Sequence, residues 1–294
     1  MEDIVYIYAR YIMKYIRLGI LVVLTFAAIL IIASFMIPDG NEKVLEKLNA
    51  KGIVLHPLVL SYHDSLKVKL MTTGDSAKQP LLLIHGSPGD WGAWENIIAN
   101  DSIRERFYII SVDRAGYGET TVPALSKLSD QADVIWQALE QINITQKITI
   151  SGHSYGGAVV EQLIIDHPHS FAKVIFAAPT LGPELMAPRW YNKVANWALI
   201  NAILPKDLKA SNIEMMGLPE SLKLNEQYLS KINIPIVYIQ GLKDVLVPYE
   251  TVDYFKLHKN TGVKYIIIKK MNHFIPWSHP YLITDSILDK LDKY

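Results

Sequence analysis

The chain has 294 residues, 50% of them hydrophobic and 20% charged, with 29 basic and 29 acidic side chains and a formal net charge of zero. That balance gives no reason to expect nucleic acid or any other charged polymer as a partner, and the length is ample for one large α/β domain. Cysteine is absent, which excludes disulfides, thiolate metal sites and a cysteine nucleophile, while fitting any compartment.

Residues 18–37 read LGILVVLTFAAILIIASFMI, twenty positions without a charge. At about 1.5 Å per residue such a helix spans the roughly 30 Å hydrocarbon core of a bilayer, so a transmembrane helix is expected here. Arg10, Lys14 and Arg17 precede it, Tyr6, Tyr8, Tyr11 and Tyr15 suit the headgroup level, and Pro38-Asp39-Gly40 ends it. A buried core helix would show a polar stripe. A cleaved signal peptide would have a shorter apolar run and an A-x-A site. The reading is therefore an uncleaved anchor in residues 1–40, followed by a catalytic domain in 41–294. Basic residues balance on the two sides, but Arg17 alone lies close against the run, which tilts the domain toward the outer, extracytoplasmic side.

Residues 41–51 form a short amphipathic stretch, with Val44, Leu45 and Leu48 on one face, expected to be a linker helix. Segments 54–60 and 66–71 read as paired strands with a turn at 62–65. Residues 80–84 are a continuous apolar run, as in a strand buried on both faces, opening into His85-Gly86-Ser87-Pro88-Gly89. A helix is predicted over 91–100, then a strand at 107–112 ending in Asp113-Arg114-Ala115-Gly116-Tyr117-Gly118. A helix over 125–142, capped by Ser126 or Ser129, precedes strands at 147–151, 173–178, 234–240 and 263–268, with helices at 249–258 and 280–291. Strand and helix alternate, so a mostly parallel sheet with helices on both faces follows. Between 180 and 231 the alternation pauses. Pro183, Pro188, Pro205 and Pro219 punctuate short apolar runs there, read as a small helical cap, the alternative being an irregular crossover.

The chemistry centres on Gly152-His153-Ser154-Tyr155-Gly156, between a strand and an apolar helical stretch. A serine at such a corner must adopt a backbone conformation that ordinary residues resist, and the flanking glycines have no Cβ to collide across it. The corner lifts the Ser154 hydroxyl and sets the Tyr155 N–H at a helix start, where developing negative charge is favoured. The bland alternative is a glycine-rich turn with an inert serine. A serine hydroxyl needs a base and a group that orients the base. In a nucleophile elbow these follow in the order acid then histidine, each after a strand. Gly241-Leu242-Lys243-Asp244 and Met271-Asn272-His273-Phe274 meet that order.

With these five motifs in sequence, the chain resembles the α/β-hydrolase superfamily from about residue 57 to the C-terminus. The resemblance implies that Ser154 is the nucleophile, His273 the general base and then acid, and Asp244 the carboxylate that fixes the imidazole tautomer. It also implies an oxyanion hole from the backbone N–H groups of Ser87 and Tyr155. Asp113 precedes the nucleophile and is expected to brace its own turn. His85 and His153 are expected to hold loops, and His56, His63, His167, His169, His258 and His279 match no catalytic position. Trp91, Trp94 and Trp277 are candidates for an acyl pocket or for core packing. No metal-ligand spacing or phosphate-cradling loop appears, so neither metal nor cofactor is expected.

The expected reaction is acyl transfer to water on an ester of a small or medium hydrophobic acid. The family's epoxide hydrolases and haloalkane dehalogenases carry Asp at the elbow, which Ser154 does not match. Proline iminopeptidase or carbon–carbon bond hydrolase activity is the rival within enzymes, although Ser87 and Tyr155 replace the Gly and Trp usual in proline iminopeptidases. A membrane-tethered binding protein that has lost activity is the rival from another class.

Overall fold

A computed structural model describes residues 41–294 except 64, 260, 293 and 294, together with 11, 13–15, 17 and 19. The expected membrane segment, residues 18–37, lies outside the described residues apart from Gly19. Among the described residues no helix is long and apolar enough to cross a membrane.

Eight strands form one sheet in the order β1-β2-β4-β3-β5-β6-β7-β8: β1 His56–Tyr62, β2 Leu66–Thr73, β3 Gln79–Ile84, β4 Phe107–Val112, β5 Ile148–His153, β6 Phe171–Ala177, β7 Ile236–Gly241 and β8 Val263–Ile268. The hairpin β1–β2 is antiparallel and β2 joins β4 antiparallel; from β4 onward every pairing is parallel. The continuous apolar run predicted for a doubly covered strand is β3, whose Leu81 to Ile84 are all 0% exposed. Alternate residues serve opposite faces, as the pleat requires. Leu82 and Ile84 join one core with Ile150, Val174, Phe176 and Tyr238. Leu81 and Leu83 join the other with Ile109, Ile175, Val237 and Ile239. Each such burial contributes about 1.5–3 kcal/mol, so the sheet's centre is where register is most strongly fixed.

The helices are α1 Asn41–Ala50, α2 Asp101–Arg106, α3 Leu128–Glu140, α4 Tyr155–Asp166, α5 Trp190–Ala195, α6 Ala198–Ile203, α7 Lys206–Asn225, α8 Glu250–His258 and α9 Pro280–Ile287. Helix α1 is more than a linker, since Val44 and Leu48 are buried in the second core beside Trp91 and Trp94. The helix predicted over 91–100 is broken into a 3-10 turn, Trp91–Trp94, and a short α turn, Glu95–Ile98. Asp90 caps the first by accepting from Gly92 N, and Asn100 then opens α2 by accepting from Ile103 N. Ser126 and Ser129 do not cap α3, whose N-cap is Lys127 with no side-chain bond. Its Leu128 N–H is met instead by Ser221 Oγ at 3.2 Å, from a helix 93 positions downstream.

That helix is α7, the longest part of a helical insertion between β6 and β7. It packs against α3 and α4. A Cβ on Gly217 would stand 2.2 Å from Ser126 O, so only glycine lets α7 approach the start of α3 this closely.

Candidate active site

Strand β5 runs straight into α4 with Ser154 at the joint. Ser154 has φ 53° and ψ −125°, a left-handed conformation that costs a non-glycine residue on the order of 1–3 kcal/mol. Three backbone bonds hold it: Ser154 N–H donates to Ala177 O at 3.0 Å, and its carbonyl accepts from Gly157 N at 2.8 Å and Thr180 N at 3.1 Å. The flanking glycines are required by close approach. A Cβ on Gly152 would meet Gly156 O at 2.5 Å, and one on Gly156 would meet Ile84 O at 2.3 Å and His85 O at 2.5 Å. Tyr155 is the first residue of α4, so its N–H has no acceptor within the helix. The loop after β3 lies alongside, since a Cβ on Gly86 would be 3.1 Å from Ser154 Cβ.

Asp244 follows β7 and His273 follows β8. The His273 Nδ1–H donates to Asp244 Oδ2 at 2.7 Å, and both residues are almost wholly buried. Asp244 Oδ1 accepts from Leu246 N at 2.9 Å and Val247 N at 2.8 Å, and Gln240 Nε2 reaches Oδ2 at 3.2 Å. Burial alone would raise this carboxyl's pKa. The hydrogen bond and charge of His273, together with the two backbone donors, outweigh it and hold Asp244 below the ordinary carboxylate value. In the neutral form of the ring, an Nδ1–H donated to Asp244 puts the lone pair on Nε2.

Among the described residues the Ser154 hydroxyl makes no hydrogen bond, but its neighbour ties the two loops together. His153 Nε2–H donates to the carbonyl of His273 at 2.9 Å, and the two imidazole rings are 4.8 Å apart. Burial, and next the neighbouring His273, push His153 down to about 3, so it stays neutral and its Nδ1 is buried without a partner. Trp277 sets its edge against His153 at 5.5 Å. Trp91, a candidate pocket wall, is instead packed in the second core and only 1% exposed. It starts the turn that faces α1 and the sheet, and its N–H donates to Asp113 Oδ1 at 2.9 Å. Trp94 is equally buried. Asp113 braces its own turn, accepting from Glu119 N at 3.1 Å on its other oxygen.

His85 holds its loop in one tautomer. Its Nε2 accepts from Arg114 N at 3.1 Å, so Nδ1–H donates to Gly86 O at 2.7 Å. Burial and then Arg114 depress its pKa well below the ordinary value.

Two residues to which the sequence reading gave no role, Arg114 and Glu214, form a buried ion pair bonded to this loop. Arg114 is fully buried and donates to His85 O at 3.0 Å and Gly86 O at 2.8 Å. It pairs with Glu214, an equally buried carboxylate on α7. Burial acts against the guanidinium charge, and the adjacent Glu214 more than compensates, so its pKa is raised. Tyr117 OH donates to Glu214 Oε2 at 2.7 Å, which leaves the Ser87 hydroxyl to donate to Tyr117 OH at 2.9 Å. Gln131 donates to Glu214 Oε1 at 2.7 Å. A helix of the insertion is thus bonded through Tyr117 and Arg114 to the loop that carries Ser87. The single signal in the sequence was one acidic residue in the apolar run 213–218.

An eight-stranded, mostly parallel sheet with a left-handed serine between strand and helix is the architecture of the α/β-hydrolase fold. The family model described as alpha/beta hydrolase fold matches residues 79–202 of the chain. The chain is 25% identical to the pimeloyl-[acyl-carrier protein] methyl ester esterase of Legionella pneumophila (strain Corby) over 243 residues, covering 73% of this chain and 94% of that protein. It is also 25% identical to epoxide hydrolase 4 of Mus musculus over 131 residues, 44% of this chain but only 36% of that protein. Among solved structures, 2-hydroxy-6-oxo-6-phenylhexa-2,4-dienoate hydrolase from Rhodococcus sp. strain RHA1 superposes with a TM-score of 0.64 at 16% identity, covering 81% of this chain and 98% of that one; this likeness is one of fold.

Proposed function

We propose that the protein is a serine hydrolase that cleaves carboxylic esters, with Ser154 as nucleophile, His273 as base and Asp244 as its orienting carboxylate. The observation that carries this reading is the buried 2.7 Å His273–Asp244 bond, on a loop whose His273 carbonyl accepts from His153 at 2.9 Å, the residue next to a serine held in left-handed geometry. Ser154 Oγ attacks the ester carbonyl and its proton passes to His273 Nε2. The oxyanion is met by the N–H groups of Tyr155 and Ser87; the loss of one such donor costs about 10² to 10³ in turnover. His273 then protonates the leaving alcohol, and water enters by the reverse sequence to release the acid. The serine at the elbow argues against epoxide opening, which needs a carboxylate there. The substantial coverage of an esterase supports ester over amide or carbon–carbon cleavage.

A fluorophosphonate probe and p-nitrophenyl ester turnover test the proposal together. Both signals are expected in the wild type and both are lost in Ser154→Ala. A folded wild type that neither labels nor turns over any ester would leave the binding-protein reading in its place.

Residues 18–37 are proposed as an uncleaved anchor that holds this domain on the extracytoplasmic face. The chain is then expected to stay in the membrane fraction through alkaline carbonate extraction and to be cleaved by protease added outside intact cells.

A further inference from the structure

Helix α6 has no buried residue, although its sequence is ALINAI. Leu199 is 85% exposed and Ile203 73%. Immediately before it stand Trp197 and Trp190, each 65% exposed, and Tyr191 at 41%. A six-residue helix is too short to persist in water by itself, and exposed apolar side chains gathered within fourteen residues, with Leu199 and Ile203 one helical turn apart, mark a surface that something covers.

Three observations choose the cover. The first is composition: tryptophan and tyrosine among aliphatic residues suit the headgroup layer of a bilayer, where an apolar body and a polar edge are both solvated. The second is charge. Over residues 189–209 there are four basic side chains, Arg189, Lys193, Lys206 and Lys209, and one acidic, Asp207, an excess that anionic lipid would attract. The third is the chain itself: only Pro38, Asp39 and Gly40 separate Asn41, where the folded domain begins, from the uncharged segment 18–37, a reach of about 10 Å.

We infer that the α5–α6 face of the insertion rests in the headgroup layer of an anionic phospholipid bilayer. This rests on the proposed anchor, which would place that bilayer within reach.

The test uses the full chain reconstituted into vesicles of phosphatidylcholine and phosphatidylglycerol, with and without brominated acyl chains. Retention on the vesicles after alkaline carbonate is scored first. In retained protein, bromolipid is expected to quench a component of the tryptophan fluorescence that is missing from the conservative variant W190F/W197F. Because the chain has no cysteine, Ile203→Cys gives a unique thiol for an environment-sensitive dye, whose emission is expected to shift to the blue on brominated and plain vesicles alike. Retained protein with no quenching, or with quenching unchanged in W190F/W197F, overturns the inference. So does an Ile203→Cys variant that cross-links to a second copy and shows no lipid-dependent shift. Failure of retention overturns the anchor first and the docking with it, and is read from a different step.

Discussion

Asp244 accepts from two backbone N–H groups on one oxygen and from His273 on the other, and an amide substitution separates the two. Asp244→Asn keeps an acceptor for the Leu246 and Val247 N–H groups but presents either an amide or a neutral oxygen to His273, so the ring loses its fixed tautomer. Turnover is expected to fall on the order of 10³- to 10⁴-fold with little change in KM, measured on a p-nitrophenyl ester. Glu214 has a different effect. Glu214→Ala leaves the Arg114 guanidinium buried without its counter-charge, which costs on the order of 3–5 kcal/mol and is expected as a clear fall in thermal midpoint. At this scale the sequence was legible where chemistry demands a residue type in a fixed local setting: Ser154 stands at the joint of β5 and α4, and Asp244 and His273 stand on the loops after β7 and β8. Glu214 was not legible, because its meaning comes from Arg114, 100 positions away, and no local pattern marks a carboxylate as the partner of a distant guanidinium.

At the scale of elements, strands were read well because a doubly buried strand is a run of apolar residues with punctuation at its ends, as in β3 and β7. Helix starts were read poorly. The first turn of α3 is completed by Ser221 from the insertion, while the helix expected over 91–100 is interrupted because Asp90 and Asn100 cap separate turns. Tertiary partners supplied the caps that local rules looked for nearby. Gly156 lets two effects be weighed. By helix propensity Gly156→Ala would gain about 1 kcal/mol. The added Cβ would stand 2.3 Å from Ile84 O, a backbone atom that cannot give way, so net destabilisation and loss of ester turnover are expected, read by thermal melting and activity together.

The whole molecule has a core on each face of the sheet, and Glu161 lies inside one of its layers. Burial pushes Glu161 up to about 8, against a single hydrogen bond from Asn225, and its Oε2 has no partner. From its ordinary value near 4.5 the folded state therefore holds the proton more tightly than the unfolded state. Stability from this group is full below about pH 4.5, declines as pH rises, and is lost by about pH 8, when the unfolded carboxyl has long been ionised and the folded one is forced to follow. Glu161→Gln removes the penalty. Its thermal midpoint is expected to match that of the wild type near pH 4.5 and to exceed it increasingly toward pH 8.5, a gap worth on the order of a few kcal/mol; parallel curves for the two proteins would refute the assignment.

The Arg114–Glu214 pair also bears on how such a protein can diversify. Were residues 180–231 exchanged wholesale for the corresponding segment of another protein of this fold, the guanidinium would be left facing an interior with no negative charge to answer it, and the loop bearing Ser87 would lose the bonds that reach it through Arg114 and Tyr117. A graft should therefore succeed only when it brings a carboxylate to the position of Glu214, or when Arg114 and the insertion are replaced together; insertion and scaffold form a matched set rather than interchangeable parts.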